Sequence, residues 1–83
     1  MRIDKYLKTA RIIKRRAVAK EACDQGRVRI NDLVVKASEN VKVGDIVTLE
    51  YSHRIFKYRV LDLSEHVRKD EAGELYEIIG QGE

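Results

Sequence analysis

The side chains best suited to chemistry in this sequence are three consecutive cations, Lys14, Arg15 and Arg16. Lys20 lies four residues beyond Arg16, so these two side chains share one face if the segment is helical. Arginine holds a phosphate through two parallel hydrogen bonds, whereas lysine acts as a compact point charge. The run therefore predicts a ridge of cations that binds a polyanion through its phosphates. A preceding helix would add further members to this ridge, namely Arg2, Lys5 and Arg11.

The charges of the chain are separated along its length. Residues 1–36 hold eleven Lys and Arg against four Asp and Glu, whereas residues 37–83 hold six against ten. The first part therefore has a net charge of +7 and the second −4, within an overall charge of +3. A charge run is ordinarily a solvated helix face, but a solvated surface would mix the two signs. The separation favours binding of a nucleic acid.

Asp4 is an acid within this basic segment, and two interpretations of it remain open. It could stabilise the positive end of the first helix. Alternatively, it could orient an arginine toward RNA, with Arg16 or Arg11 as candidates. Tyr6 is the only aromatic residue in residues 1–36. Proteins that read single strands rely on aromatic stacking, so the pattern favours folded RNA recognised through its backbone and shape.

Residues that often serve catalysis or metal binding do not form a usable pattern here. His53 and His66 lie thirteen residues apart, without cysteines or paired carboxylates that would complete a metal site. Cys23 is the only cysteine, and its helical position predicts a small core residue rather than a reactive thiol. Ser38 and Ser52 lack a base at motif spacing. We therefore expect no enzyme activity, no cofactor and no metal.

Two short helices are predicted to carry the cations. The first covers residues 2–10, where apolar side chains recur at helical spacing. The second covers residues 14–25, and Gly26 follows where a helix C-cap belongs, because glycine adopts the left-handed conformation at little steric cost. The side chains of the second helix predicted to face the core are Ala17, Val18, Ala22 and Cys23.

The spacing of apolar residues changes to alternation after Gly26, which predicts strands. Val28 and Ile30 are expected to face the core, and Asn31-Asp32 predicts a two-residue hairpin turn. The strands are expected over residues 28–30, 33–35, 46–50, 55–63 and 75–79. The fold class is therefore α+β, with two N-terminal helices packed on a small, mainly antiparallel sheet in one domain over residues 1–83.

The apolar residues are interrupted by charge throughout the chain. No run approaches the roughly 18 apolar residues that a membrane-spanning helix requires. The first residues lack the apolar core of a signal peptide, and a single cysteine provides no disulfide framework. We therefore expect a cytoplasmic protein without a membrane partner.

An ordered set of residues resembles the S4 RNA-binding domain. The set comprises Arg2-Ile3-Asp4-Lys5-Tyr6-Leu7, Arg11, Lys14-Arg15-Arg16, Ala19-Lys20, Gly26-Arg27-Val28, Ile30-Asn31, Lys36-Ala37-Ser38, Val41 and Gly44-Asp45. The resemblance implies a bent sheet, a helix pair presented to structured RNA, a core motif over about residues 1–50 and a strand extension over 51–83. One departure is the hairpin Asn31-Asp32, where the family usually has Asn-Gly. The RNA-binding residues that the resemblance implies, with Asp4 as the acid that orders the cations, are Arg2, Asp4, Lys5, Arg11, Lys14, Arg15, Arg16 and Lys20.

Within this family the chain resembles stand-alone members of bacterial ribosome-associated quality control. The resemblance implies an RNA-binding factor that contacts large-subunit 23S rRNA and peptidyl-tRNA on obstructed 50S ribosomal subunits. It would support C-terminal alanine tailing of stalled chains beside an RqcH-type tailing factor, and would be a monomer off the ribosome. Two alternatives remain open. One is a protein-interaction module whose acidic C-terminal half docks a basic partner, and the other is an RNA-targeting subunit for a separate RNA-modifying enzyme.

Overall fold

The computed structural model describes residues 1–65 and 75–82, which form two short helices and five strands. Helix α1 spans Ile3–Thr9 and helix α2 spans Arg16–Asp24. The strands are β1 Val28–Ile30, β2 Leu33–Val34, β3 Ile46–Tyr51, β4 Arg54–Val60 and β5 Tyr76–Gly82. The predicted α+β class is confirmed, and each predicted element ends within three residues of the observed one. Neither α1 nor α2 could span a lipid bilayer.

The five strands form one antiparallel sheet in the order β2-β1-β3-β4-β5. Val47 on β3 pairs with Ile30 on one side and with Tyr58 on the other, so these three side chains project from one face of the sheet. That face packs against the two helices to form the core. The opposite face, called here the outer face, carries Arg29, Thr48, Lys57 and Arg59.

The helical side of the core differs from the sequence prediction in one respect. Ala22 and Cys23 are buried as predicted, but Ala17 is exposed and Val18 is 40% exposed. Ala19 is buried in their place. Residues three and four apart share a helix face, so burial of Ala19 also turns Ala22 and Cys23 inward and leaves the positions before Ala19 facing solvent.

The C-terminal strand belongs to the same core as the helices. Leu75, which immediately precedes β5, is only 2% exposed. The hydroxyl of Tyr6 on α1 donates a hydrogen bond of 2.7 Å to the backbone carbonyl of Leu75. Burial raises the pKa of the Tyr6 phenol far above its ordinary value, so the hydroxyl keeps the proton that it donates. This bond joins the first helix to the last strand.

Local backbone geometry follows the sequence closely. Gly26 adopts φ +74°, and its N–H bonds the carbonyl of Cys23 at 2.9 Å, which confirms its role beyond the end of α2. Asn31 and Asp32 have φ values of 51° and 69°, as a two-residue type I′ turn requires. The amide oxygen of Asn31 also accepts the backbone N–H of Ile46 at 3.0 Å. That contact ties the hairpin to β3.

Candidate nucleic-acid interface

Asp4 is a buried carboxylate that holds two half-exposed arginines. Its side chain is 3% exposed, with Oδ2 lying 3.2 Å from Nη2 of Arg2 and Oδ1 lying 3.4 Å from Nη2 of Arg16. Oδ1 also accepts the backbone N–H of Lys5 at 2.8 Å. The side chains of both arginines are 46% exposed. A guanidinium has five N–H donors, so each arginine keeps further donors for an external anion.

This arrangement is called here the Asp4 cluster (Asp4, Arg2 and Arg16). It is compatible with both interpretations of Asp4, as a residue that stabilises α1 and as one that orients an arginine. The residue lies in the first turn of α1, where a negative charge stabilises the helix. It also holds an arginine of the neighbouring helix, because Arg16 is the first residue of α2. Of the two alternative partners named from the sequence, Arg16 or Arg11, the structure shows Arg16, and Arg2 pairs with Asp4 as well.

Two further cations of the predicted binding site form exposed ion pairs. Lys5 Nζ lies 3.0 Å from Glu65 Oε1, and Lys20 Nζ lies 3.1 Å from Asp24 Oδ2. Exposed pairs of this kind contribute roughly 0–1 kcal/mol, because water screens them. Either lysine could therefore exchange its carboxylate partner for an external anion at little cost.

The structure also adds one cation, Lys36, to those that the sequence assigned to the site. Arg2 and Lys20 line one cleft, and Lys36 lines it with them. Lys36 was not assigned to the binding site from the sequence, although it belongs to the Lys36-Ala37-Ser38 segment of the S4 pattern. Arg2 belongs both to the lining of this cleft and to the Asp4 cluster, so the two adjoin each other. Lys14 and Arg15 lie just before α2 and line a different groove.

Arg11 occupies a backbone position that usually favours glycine. Its φ is 61°, and it follows the last turn of α1, with its N–H bonded to Lys8 O at 3.0 Å. Ile12 N–H bonds the carbonyl of Leu7 at 3.0 Å, which completes the same end motif that Gly26 forms after α2. A side chain in the left-handed region costs stability. Arg11 is an exposed arginine at a position where glycine would be more stable.

We expect Arg11→Gly to stabilise the protein and to weaken RNA binding. Relief of the left-handed conformation contributes roughly 1 kcal/mol, which raises Tm by about 4–8 °C for a domain of this size. Thermal unfolding and RNA titration measure the two effects. Arg11→Ala is the matched control, because it removes the cation and keeps the strain. If Arg11→Gly binds RNA as well as the parent protein, Arg11 does not belong to the interface.

Cys23 lies in the core of the protein, as its helical position predicted. Cys23 is 4% exposed. Burial above all, and then the negative charges of Asp4 and Asp24, raise the pKa of its thiol to about 11. The thiol therefore stays protonated, as a core residue should. No cluster of histidine, cysteine and carboxylate side chains suited to a metal ion occurs within residues 1–65 and 75–82. His66 lies outside these residues.

Comparison with known proteins identifies close relatives. The family model described as S4 domain matches residues 1–47. The chain is 43% identical over 81 residues to the RQC P-site tRNA stabilizing factor of Streptococcus pneumoniae, covering 98% of this chain and 92% of that protein. It is 44% identical over 79 residues to the protein of the same name from Bacillus subtilis, with 95% and 92% covered. A trimeric structure of Heat Shock Protein 15 from Vibrio cholerae matches with a TM-score of 0.88 at 31% identity, over 95% of this chain and 81% of that one.

Proposed function

This chain belongs to the S4 domain family and, within it, to the RQC P-site tRNA stabilizing factors, and we propose that it binds P-site tRNA in ribosome-associated quality control. The observation that carries the proposal is the Asp4 cluster. A carboxylate that is 3% exposed holds Arg2 and Arg16 on neighbouring helices, while each arginine stays 46% exposed. This geometry presents two oriented guanidinium groups to an RNA backbone.

The finer proposal concerns the partners. The protein contacts 23S rRNA together with peptidyl-tRNA on obstructed 50S subunits, and it supports alanine tailing by an RqcH-type factor in the cytoplasm. Support for two RNA contacts comes from the distribution of the cations. Arg2, Lys20 and Lys36 line one cleft, whereas Lys14 and Arg15 line another groove. The protein acts by binding, as a monomer off the ribosome and without catalysis. The oriented guanidinium groups of the Asp4 cluster support a binding role, because they suit contacts with phosphates rather than proton transfer or nucleophilic attack.

The salt dependence of binding to purified 50S particles tests the proposal. With about six phosphate contacts, each contact contributes a slope of roughly −0.7 to −0.9 to the plot of log affinity against log salt concentration. The affinity should fall roughly a thousandfold between about 50 and 200 mM KCl. Sedimentation of a labelled protein with 50S particles at a series of KCl concentrations measures this slope.

Nuclease treatment provides the control for the same experiment. Digestion of the RNA should release the protein from the particle fraction. If binding is indifferent to KCl, and if partners remain associated after nuclease treatment, protein contacts dominate. The protein-interaction alternative would then replace the proposal.

A further inference from the structure

An apolar groove opens between the start of α2 and the hairpin of β3 and β4. Lys14 and Arg15 lie on its helical side, where Ile13 also contributes to the lining. The sheet side carries three aromatic rings, those of Tyr51, Phe56 and Tyr58. In the sequence these rings belong to the acidic part of the chain. Only the fold places them beside the cations of the basic part.

The aromatic side of the groove is a preformed surface. The rings of Phe56 and Tyr58 stack with centroids 6.4 Å apart and planes inclined by 20°. Tyr76 contacts Tyr58 edge-on at 5.2 Å and 88°, which holds the ring from the neighbouring strand. Tyr51 is 53% exposed. It lies two residues beyond Leu49 on β3, so it projects from the same face of the sheet as Leu49 and as Phe56, which is the cross-strand partner of Leu49. The hairpin thus offers an exposed ring beside a fixed stacked pair.

We propose that this groove binds an unstacked base of looped RNA, with the adjacent phosphate on Lys14 and Arg15. Aromatic rings stack on any base, because every base has a π-face, and neighbouring cations hold the backbone. This inference rests on the proposed function and deepens it, since the same RNA-binding surface then reads single-stranded nucleotides in addition to phosphates. It modifies the expectation, drawn from the basic part of the sequence alone, that aromatic stacking contributes little.

The position of the groove favours RNA over a partner protein. Arg15 immediately precedes Arg16 of the Asp4 cluster, so the groove continues the cationic surface. An RNA strand that places a phosphate on Arg16 therefore brings the next nucleotides toward the groove. The groove combines cations on one side with aromatic rings on the other, and a nucleotide is complementary to both. An acidic peptide with apolar side chains is the competing occupant.

Two RNA probes of equal nucleotide number distinguish base binding from phosphate binding. One is a hairpin with 2-aminopurine in its loop, and the other is a blunt duplex without a loop. The parent protein should bind the hairpin more tightly and quench the fluorescence of the loop base, because the base stacks on the rings. Tyr51→Thr should lower hairpin affinity roughly tenfold, as expected from the loss of one base-stacking contact, and should leave duplex affinity unchanged.

The matched control is Ile55→Thr, which alters the opposite face of the same hairpin. Ile55 is 39% exposed and pairs with Glu50, whereas Tyr51 projects from the groove side. Both substitutions introduce threonine, a residue that strands accommodate well. Ile55→Thr should bind both probes as the parent does. Thermal unfolding of both variants at the Tm of the parent protein would show that the hairpin is intact.

The outcomes separate this inference from the function on which it rests. If Arg16→Ala weakens both probes and Tyr51→Thr weakens neither, the proposed function stands and the base-binding groove is wrong. An equal loss on both probes with Tyr51→Thr also overturns the inference, because the loop then has no special role. If an acidic apolar peptide binds the groove without displacing the hairpin, the occupant is a protein. Failure of the parent protein to bind either probe contradicts both proposals.

Discussion

Arg16→Ala should remove the protein from 50S particles while leaving its fold intact. Arg16 is the guanidinium that Asp4 holds across the two helices, at 3.4 Å from Oδ1. Its loss removes a charge-assisted, oriented phosphate contact, so we expect at least a roughly tenfold loss of affinity and a salt slope reduced by about one. Thermal stability should change by less than about 1 kcal/mol, because Asp4 keeps Arg2 and the N–H of Lys5. Co-sedimentation at several salt concentrations, with a parallel melt, measures both effects.

A second arginine and a matched control make this prediction specific. Arg2→Ala should behave as Arg16→Ala does, since the two side chains share one carboxylate and the same exposure. Arg29→Ala removes the same charge from the outer face of the sheet, where Arg29 is exposed and pairs with Thr48. It should keep the protein on the particle. Equal losses in all three variants would mean that net charge governs binding, and the interface on the helices would be wrong.

Asp4→Asn should weaken RNA binding even though it makes the protein more positive. If charge alone determined the affinity, removal of an acid would strengthen binding to a polyanion. Asp4 instead orients two guanidinium groups, and an uncharged amide holds them less firmly and can turn its NH₂ group toward them. We expect roughly a tenfold loss, which corresponds to about 1.4 kcal/mol. Titration of a labelled RNA hairpin with each variant measures the sign of the change.

The control for Asp4→Asn is the same substitution at an exposed carboxylate. Asp24 is 55% exposed and pairs with Lys20 at 3.1 Å. Asp24→Asn therefore removes one negative charge, as Asp4→Asn does, and it frees a cation of the proposed site. Its affinity for RNA should stay equal or rise. Opposite signs for the two variants would support an orienting role for Asp4. A rise in both would show that Asp4 acts only through its charge.

The local features of the fold were predictable because they depend on neighbouring residues. Gly26 has φ +74°, and Asn31-Asp32 adopts the two positive φ values of a tight hairpin, as their types and positions indicated. Both follow from steric limits within a few residues. The inward face of α2 was predicted less well. Ala17 and Val18 are exposed although both suit a core, because packing against α1 and the sheet, and not residue type, decides which face is buried.

The sequence by itself determined the positive charge of the N-terminal part, the two cation-bearing helices, the alternating strands and the S4 pattern. Tertiary structure alone decided that Asp4 joins Arg2 to Arg16, and that Tyr51 stands in a groove beside Lys14. Composition and periodicity act over a few residues, whereas Asp4 and Arg16 are 12 positions apart along the chain and Lys14 and Tyr51 are 37 positions apart. Their distances depend on how the helices and the sheet pack around the shared core, so they exist only once that core has formed.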